Sequence, residues 1–408
     1  MTGQTASQLS TGQLMLAAAL IFGLAAACQI IAPKLRIPAL VLLLPVGFLL
    51  GLLAPQFNMD AVLGGAFPVA VDLVVAVILF QGGMELSAIK LEPNERSVVR
   101  RLVAVGGAIT FLGASALAFA LLGVSWEIAF MIGAILIVSG PTVVTPILDF
   151  AKPNARVRGI LIWEGTILDP MGALFAVVVF QIVKASSATS LADGIVMFFE
   201  GILVAVIAAV LGIVVMLGGA FLAKGNRLLE TQVLLGGVIV AAGLANAVAD
   251  DSGLLTALLL GILVPRIAKR MDASLDPAMP FFNTIVSVGI GVLFISISAL
   301  VPSSTVAEVA LPAVLMAVLL IVVVRPFVAW VCTLRAGLPR SHRAFIGVMD
   351  PRGIVAAATA SSVGASLVAL KITGAQDILP VAFIIIAVTV TFYGLSAVPL
   401  AGVLKVRD

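Results

Sequence analysis

Charge is what this sequence lacks. Only 11% of its 408 residues are Asp, Glu, Lys or Arg, whereas a soluble domain carries about 25%. A water-soluble globule of this length is therefore excluded. Disorder is excluded too, because it needs low hydrophobicity and 62% of these residues are apolar. One histidine and two cysteines are too few for a His-rich metal site or a disulfide scaffold. Cys28 and Cys332 both lie in apolar runs and read as buried thiols. The strands of a membrane β-barrel would alternate in polarity, but the apolar runs here are unbroken. A net charge of +3 points to basic loops beside a membrane rather than to nucleic acid. The class that remains is an all-α polytopic membrane protein. Met1–Gln13 holds no Lys or Arg, so the first apolar run reads as a retained helix rather than a cleaved signal.

A membrane helix takes about 20 residues. On that measure the sequence predicts thirteen spans, near 12–32, 38–54, 66–84, 98–123, 128–148, 156–183, 194–223, 230–248, 253–268, 281–300, 309–334, 343–370 and 378–404. Connections are short, so residues 1–408 form a single transmembrane domain. The basic residues test this layout. With the N-terminus outside, all but four of the 23 lysines and arginines fall in loops on the inner face, from Lys34 and Arg36 through Lys224 to Arg407. Lys184 and Lys371 fall outside, and Arg325 and Arg352 lie within spans. Such asymmetry supports a multi-pass protein of the cell's inner (plasma) membrane with a cytoplasmic C-terminus. Asp72, Glu164, Asp169 and Asp350 also fall within spans or near their ends, where each charge costs at least ~2.5–3.5 kcal/mol at a helix centre.

Two spans are interrupted. The fifth contains Ser139-Gly140-Pro141-Thr142, and the twelfth Asp350-Pro351-Arg352-Gly353. Proline removes a backbone donor and clashes with the preceding turn, so a mid-membrane break is tolerated only against protein or a watery cavity. Each break lies on the fifth span of a six-span set. This predicts two inverted repeats, about 12–183 and 230–404, joined by a linker helix near 194–223. Paired broken helices in inverted repeats mark a secondary transporter with a midplane ion site.

The span after the first break carries Glu164 and Asp169. Five residues apart, they point about 140° away from each other around a helix, so one cannot stand in for the other. Thr166, three residues before Asp169, shares its face. One acid can be neutralised by an intramembrane arginine. The other can bind and release a cation or proton, since a carboxylate out of water exchanges protons nearer neutrality and its oxygens suit a hard ion such as Na⁺.

These segments resemble the cation/proton antiporter superfamily, on its NhaP-like sodium/proton exchanger branch. The likeness spans nearly the whole chain. Phe80-Gln-Gly-Gly-Met-Glu-Leu86 resembles the family's LFEGGL-like segment, and Ser139-Gly-Pro-Thr142 stands where it has Thr-Asp-Pro-Val. Glu164-Gly-Thr-Ile-Leu-Asp169 resembles Glu-Gly-x-x-x-Asn-Asp, Val324-Arg-Pro326 the arginine span, and Pro351-Arg-Gly-Ile-Val-Ala356 the Arg-Gly-x-Val-Ala segment. The resemblance implies a non-enzymatic exchanger of Na⁺ or Li⁺, with K⁺ a competitor, for H⁺. It implies pH homeostasis as the role and a homodimer as the assembly. By position, Asp169 would bind the metal ion or proton, with Ser139 and Thr166 lending oxygens. Glu164 would be a structural acid paired with Arg325. Gly140, Pro141, Asp350, Pro351 and Arg352 would form the helix crossing, Arg352 compensating helix-end dipoles.

Two positions depart from the family pattern. Gly140 replaces its usual Asp, and Leu168 the Asn or Asp before the key carboxylate. One titrating acid then remains, which predicts electroneutral 1:1 exchange. Asp350 either supplies the charge that Gly140 cannot or simply partners Arg352 or Arg343. Asp72, Glu85, Asp250 and Asp251 read as helix-end or surface acids, with an outer cation funnel the alternative for Asp72. His342 reads as a solvated loop residue, with a pH sensor as its alternative. The competing function is a sodium-coupled symporter of an organic anion on a related inverted-repeat fold, which would want more polar residues at the breaks. An intramembrane protease is disfavoured because Gly-x-Gly-Asp is absent, and a channel because no pore loop repeats.

Overall fold

The computed structural model describes residues 10–35, 37–55, 62–185, 191–223, 226–250, 252–270 and 278–407. Arg36, Lys224, Asp251 and most of the N-terminal stretch lie outside the described residues, as do the side chains of Lys184 and Arg227. Fifteen helices run through the described residues: α1 Thr11–Leu35, α2 Leu40–Leu53, α3 Phe67–Ala88, α4 Pro93–Leu122, α5 Trp126–Ile135, α6 Pro141–Ala151, α7 Ala155–Ala185, α8 Leu191–Leu222, α9 Arg227–Val248, α10 Ser252–Arg270, α11 Met279–Ala299, α12 Ser303–Cys332, α13 Arg340–Gly347, α14 Ile354–Ala369 and α15 Ile378–Val403. Ten are long and apolar enough to cross a membrane. The others are α2 and the half-helices α5, α6, α13 and α14, so helix length alone does not settle a count of thirteen spans.

Both expected interruptions are present. α5 stops at Ile135 and α6 starts at Pro141, where a proline at the first helical position has no donor to lose. α13 stops at Gly347 and α14 starts at Ile354. α6 continues through Pro146. Two further irregularities follow, the second of them two residues before Pro326. A π-helical turn spans Leu102–Gly106 within α4, and another spans Leu320–Val324 within α12. Each adds a residue to a turn and re-aims the side chains that follow.

By packing, the chain forms two compact units. One comprises Met1–Val71, Leu91–Leu168 and Ile290–Asp408. Within it α5 lies on α4, α12 on α4 and α15, and both α6 and α14 on α15. Gly47 and Gly51 of α2 face Ile295 and Ala299 of α11, four residues apart on each side. The two backbones approach so closely that a Cβ on Gly47 would stand 2.6 Å from the Ile295 carbonyl oxygen. Small residues at this spacing let membrane helices meet where burial of apolar surface gives no drive.

The other unit comprises Asp72–Lys90 and Asp169–Gly289. Its helices α8, α9 and α10 pack against one another. α3 meets α10 through Gly83 and Gly261, and Phe80 tilts onto Phe282 with ring centroids 5.2 Å apart. A Cβ on Gly83 would stand 2.7 Å from the Leu258 carbonyl oxygen. Gly83→Leu is therefore expected to cost about 1–3 kcal/mol through overpacking, seen as a lower unfolding temperature of the purified protein. Gly243→Leu is the matched control. A Cβ there meets nothing within 4 Å, and its melting curve should overlay or exceed that of the native chain.

Candidate functional site

The two unwound stretches meet at glycine. Gly140 and Gly353 precede α6 and α14 with φ of −107° and −103°, angles that any residue adopts. What requires glycine is closeness, not backbone freedom: a Cβ on Gly353 would lie 2.9 Å from the Gly140 Cα. Pro141 follows Gly140, and Pro351 and Arg352 precede Gly353, so these residues flank that contact. Gly353 belonged to a quoted motif, but its role as the contact itself was missed. Ser139 is buried. Its carbonyl oxygen faces α7, 3.3 Å from where Gly165 would carry a Cβ.

Four buried charges occupy this region. Arg325 forks onto Glu164, with Nη1 2.5 Å from Oε1 and Nη2 2.9 Å from Oε2. Its Nε donates to the Ile346 carbonyl at 3.0 Å. Asp350 Oδ2 lies 2.8 Å from Arg352 Nη2, and Asp350 Oδ1 lies 3.9 Å from Arg325 Nη1. Arg352 Nη1 reaches the Ile137 carbonyl at 3.5 Å. All four side chains are at most 6% exposed.

Two acids and two arginines cancel. Bidentate guanidinium–carboxylate pairing is the geometry that best offsets such burial. Each arginine also serves a broken helix. Ile137 lies just past α5, and Ile346, whose carbonyl also accepts from the Met349 amide at 3.4 Å, lies in the last turn of α13; both stand at helix ends where the dipole is negative. The sequence showed the arginines. It could not show Ile137 and Ile346 as acceptors, because every residue type carries a carbonyl.

Asp350 therefore faces Arg352 rather than Arg343, whose Nε turns to the Leu338 carbonyl. Tyr393 of α15 is fully buried and interacts electrostatically with Asp350, Arg325 and Arg352. That residue went unnoticed because a lone tyrosine on an apolar helix gives no periodic signal.

Asp169 is different. It is 0% exposed, and neither carboxylate oxygen has a hydrogen-bond partner among the described residues. Thr166, one turn earlier, is equally buried and donates its hydroxyl proton to the Ile162 carbonyl of its own helix at 2.7 Å. Its oxygen lone pairs remain free to face a cation. Leu168 beside Asp169 is buried and apolar. Among the described residues no group of three or more His, Cys, Asp or Glu could hold a metal ion. Asp72, on α3, is half-buried.

Comparison with known proteins agrees with this architecture. The family described as "Sodium/hydrogen exchanger, transmembrane" matches residues 16–402. Among solved structures, the chain is similar to the sodium proton antiporter MjNhaP1 from Methanocaldococcus jannaschii at pH 8. The TM-score is 0.79 at 20% identity, covering 96% of this chain and 99% of that one. An electron-microscopy map of MjNhaP1 matches with TM-score 0.76 at 20% identity, covering 97% of each chain. At this identity the likeness is one of fold.

The cancelling cluster predicts its own energetics. Arg325→Ala strands the Glu164 carboxylate and is expected to lose about 3–5 kcal/mol, measured as a drop in unfolding temperature and in monodisperse yield. Arg325→Met combined with Glu164→Leu removes both charges and should recover most of that loss. If the double variant melts no higher than Arg325→Ala, charge cancellation is not what the pair provides.

Proposed function

The chain belongs to the sodium/hydrogen exchanger family, and from that premise we propose that it exchanges one monovalent cation for one proton at Asp169. Membership makes it a multi-span membrane transporter of cations and protons, not an enzyme. The observation that carries the finer reading is the division among the buried acids. Glu164 and Asp350 are each held by an arginine, whereas Asp169 is buried with both oxygens unpartnered.

A buried carboxylate with no cation beside it is costly in its charged form. It is stable when it holds either a proton or a metal ion, and the two exclude each other. Alternating occupancy, with access from each side of the membrane in turn, is exchange. Thr166 and the Ser139 carbonyl would supply neutral oxygens suited to Na⁺ or Li⁺, with K⁺ a weaker competitor. Glu164 and Arg325 would serve as the structural pair. Arg352, paired with Asp350, would hold the crossing of Gly140, Pro141 and Pro351. Gly140 adds no second acid, so one cation replaces one proton.

The inverted repeats, the N-terminus outside and a homodimer complete the proposal, in the plasma membrane and with pH homeostasis as the role. Native mass of the solubilised protein checks the dimer.

The decisive test uses proteoliposomes with a trapped pH dye and an imposed proton gradient. Adding Na⁺ or Li⁺ should dequench the dye, and Asp169→Asn should abolish the response while remaining folded. Uptake of an organic anion with no response to any monovalent cation would instead establish the symporter. Stoichiometry is read separately on a solid-supported membrane, where Na⁺ jumps should give proton flux without net current. A sustained current of either sign would exclude 1:1 exchange. Asp350→Asn with unchanged transport and pH profile would remove any compensating role for that acid.

A further inference from the structure

His342 is the one histidine of the chain. Contrary to the expectation of a solvated loop residue, it is half-buried on α13. Its Nδ1 is buried with no hydrogen-bond partner among the described residues, and its Nε2 lies 3.0 Å from Asn154 Nδ2. Asn154 is engaged at every polar group it has. Its Oδ1 caps α7 by accepting from the Val157 amide at 3.0 Å, and its carbonyl accepts from the Arg158 amide at 3.0 Å. Its own amide donates to the Val406 carbonyl, beyond α15, at 2.7 Å. One residue thus joins the start of the helix that carries Asp169, the first half of the second broken helix, and the stretch after α15.

The cap fixes the chemistry of the histidine contact. With Oδ1 committed to Val157, the Asn154 side chain can present only its NH₂ group to His342. That contact is a hydrogen bond while Nε2 carries a lone pair. A protonated imidazole is a donor at both nitrogens, so N–H would face NH₂. Rotating the amide to relieve this would remove the cap from α7.

The neighbouring charges do not welcome an imidazolium. Arg156 faces His342 from α7, and Arg340 and Arg343 flank it on α13. The arginines of α7 are already paired: Arg156 with Glu95 of α4 at 2.9 Å, and Arg158 with Asp149 of α6 at 2.8 Å. Arg407, beyond α15, is turned onto the Ala151 and Val398 carbonyls. Burial first, and Arg156 second, push the His342 pKa below the ordinary 6.5. The sign follows: the neutral, bonded form persists above that value, and the contact is lost as pH falls through the lowered one.

We propose that His342 and Asn154 form a proton-operated latch, closed when His342 is neutral, whose opening on acidification frees α13 from the start of α7 and speeds exchange. The proposal rests on the exchanger reading for its effect on rate, but not for the latch itself. These residues lie on the face of the basic loops, which that reading puts in the cytoplasm.

Hydrogen exchange by mass spectrometry reads the latch without transport, in the full chain in nanodiscs with any affinity tag removed. After correction for intrinsic rates, peptides covering 154–158 should lose about fivefold protection between about pH 7.5 and 5.5, the ratio that one lost hydrogen bond gives. Equal protection at both values overturns the latch. His342→Gln keeps an acceptor for Asn154 and cannot titrate, so it should stay protected and lose the acid acceleration in proteoliposomes. His342→Arg carries a fixed charge and should show about the same fivefold faster exchange already at neutral pH. Wild-type rate profiles in both variants, or slowing on acidification, would overturn the regulatory part. Loss of transport in Asp169→Asn is independent of either result.

Discussion

The structure depends on one constraint: a charge removed from water must be cancelled where it stands. Four charges meet this together. Glu164 and Asp350 on one side, Arg325 and Arg352 on the other, leave no net charge in the region where the two interrupted helices cross. The same guanidinium groups donate to carbonyls at the ends of the interrupted helices, at Ile137 and Ile346. Breaking the helices and burying the charges are thus one solution, not two. Without the breaks the arginines would lose backbone acceptors. Without Arg352 the Ile137 carbonyl would lose its side-chain donor.

Closeness is the second requirement, and glycine supplies it. The crossing, the α2–α11 contact and the α3–α10 contact all use glycine where a Cβ would meet neighbouring backbone. None of these positions needs an unusual φ. In a hydrocarbon solvent the drive for helix association is packing rather than burial, so removal of side-chain bulk takes over the task that apolar side chains perform in water.

Much of this was legible in the residues. Hydropathy and the one-sided distribution of Lys and Arg fixed the class, because few sequences with so little charge can place it at random and still insert. Gly140-Pro141 and Pro351-Arg352-Gly353 announced the interruptions through proline and glycine chemistry. Glu164, Asp169, Arg325 and Arg352 stood out because each was a charge inside an apolar run.

Other features left no such mark. The π-turn at Leu102–Gly106 is marked by no proline, and Gly106 packs against Val328. Carbonyl acceptors are common to all residues. His342 looked like a loop residue because its partner, Asn154, is 188 positions away. Spacing along a chain reveals local faces, not which distant surface closes over them.

The cancelled cluster has an electrical consequence. A membrane potential acts on net charge, at about 2.3 kcal/mol per elementary charge per 100 mV. A group of two arginines and two acids, moved as a body through that field, does no net electrical work. On the proposed reading, in which Asp169 is neutralised by whichever ion occupies it, the loaded site would add no charge to that body. An exchanger working as proposed would be driven by concentration ratios alone and would keep its direction when a cell's voltage collapses.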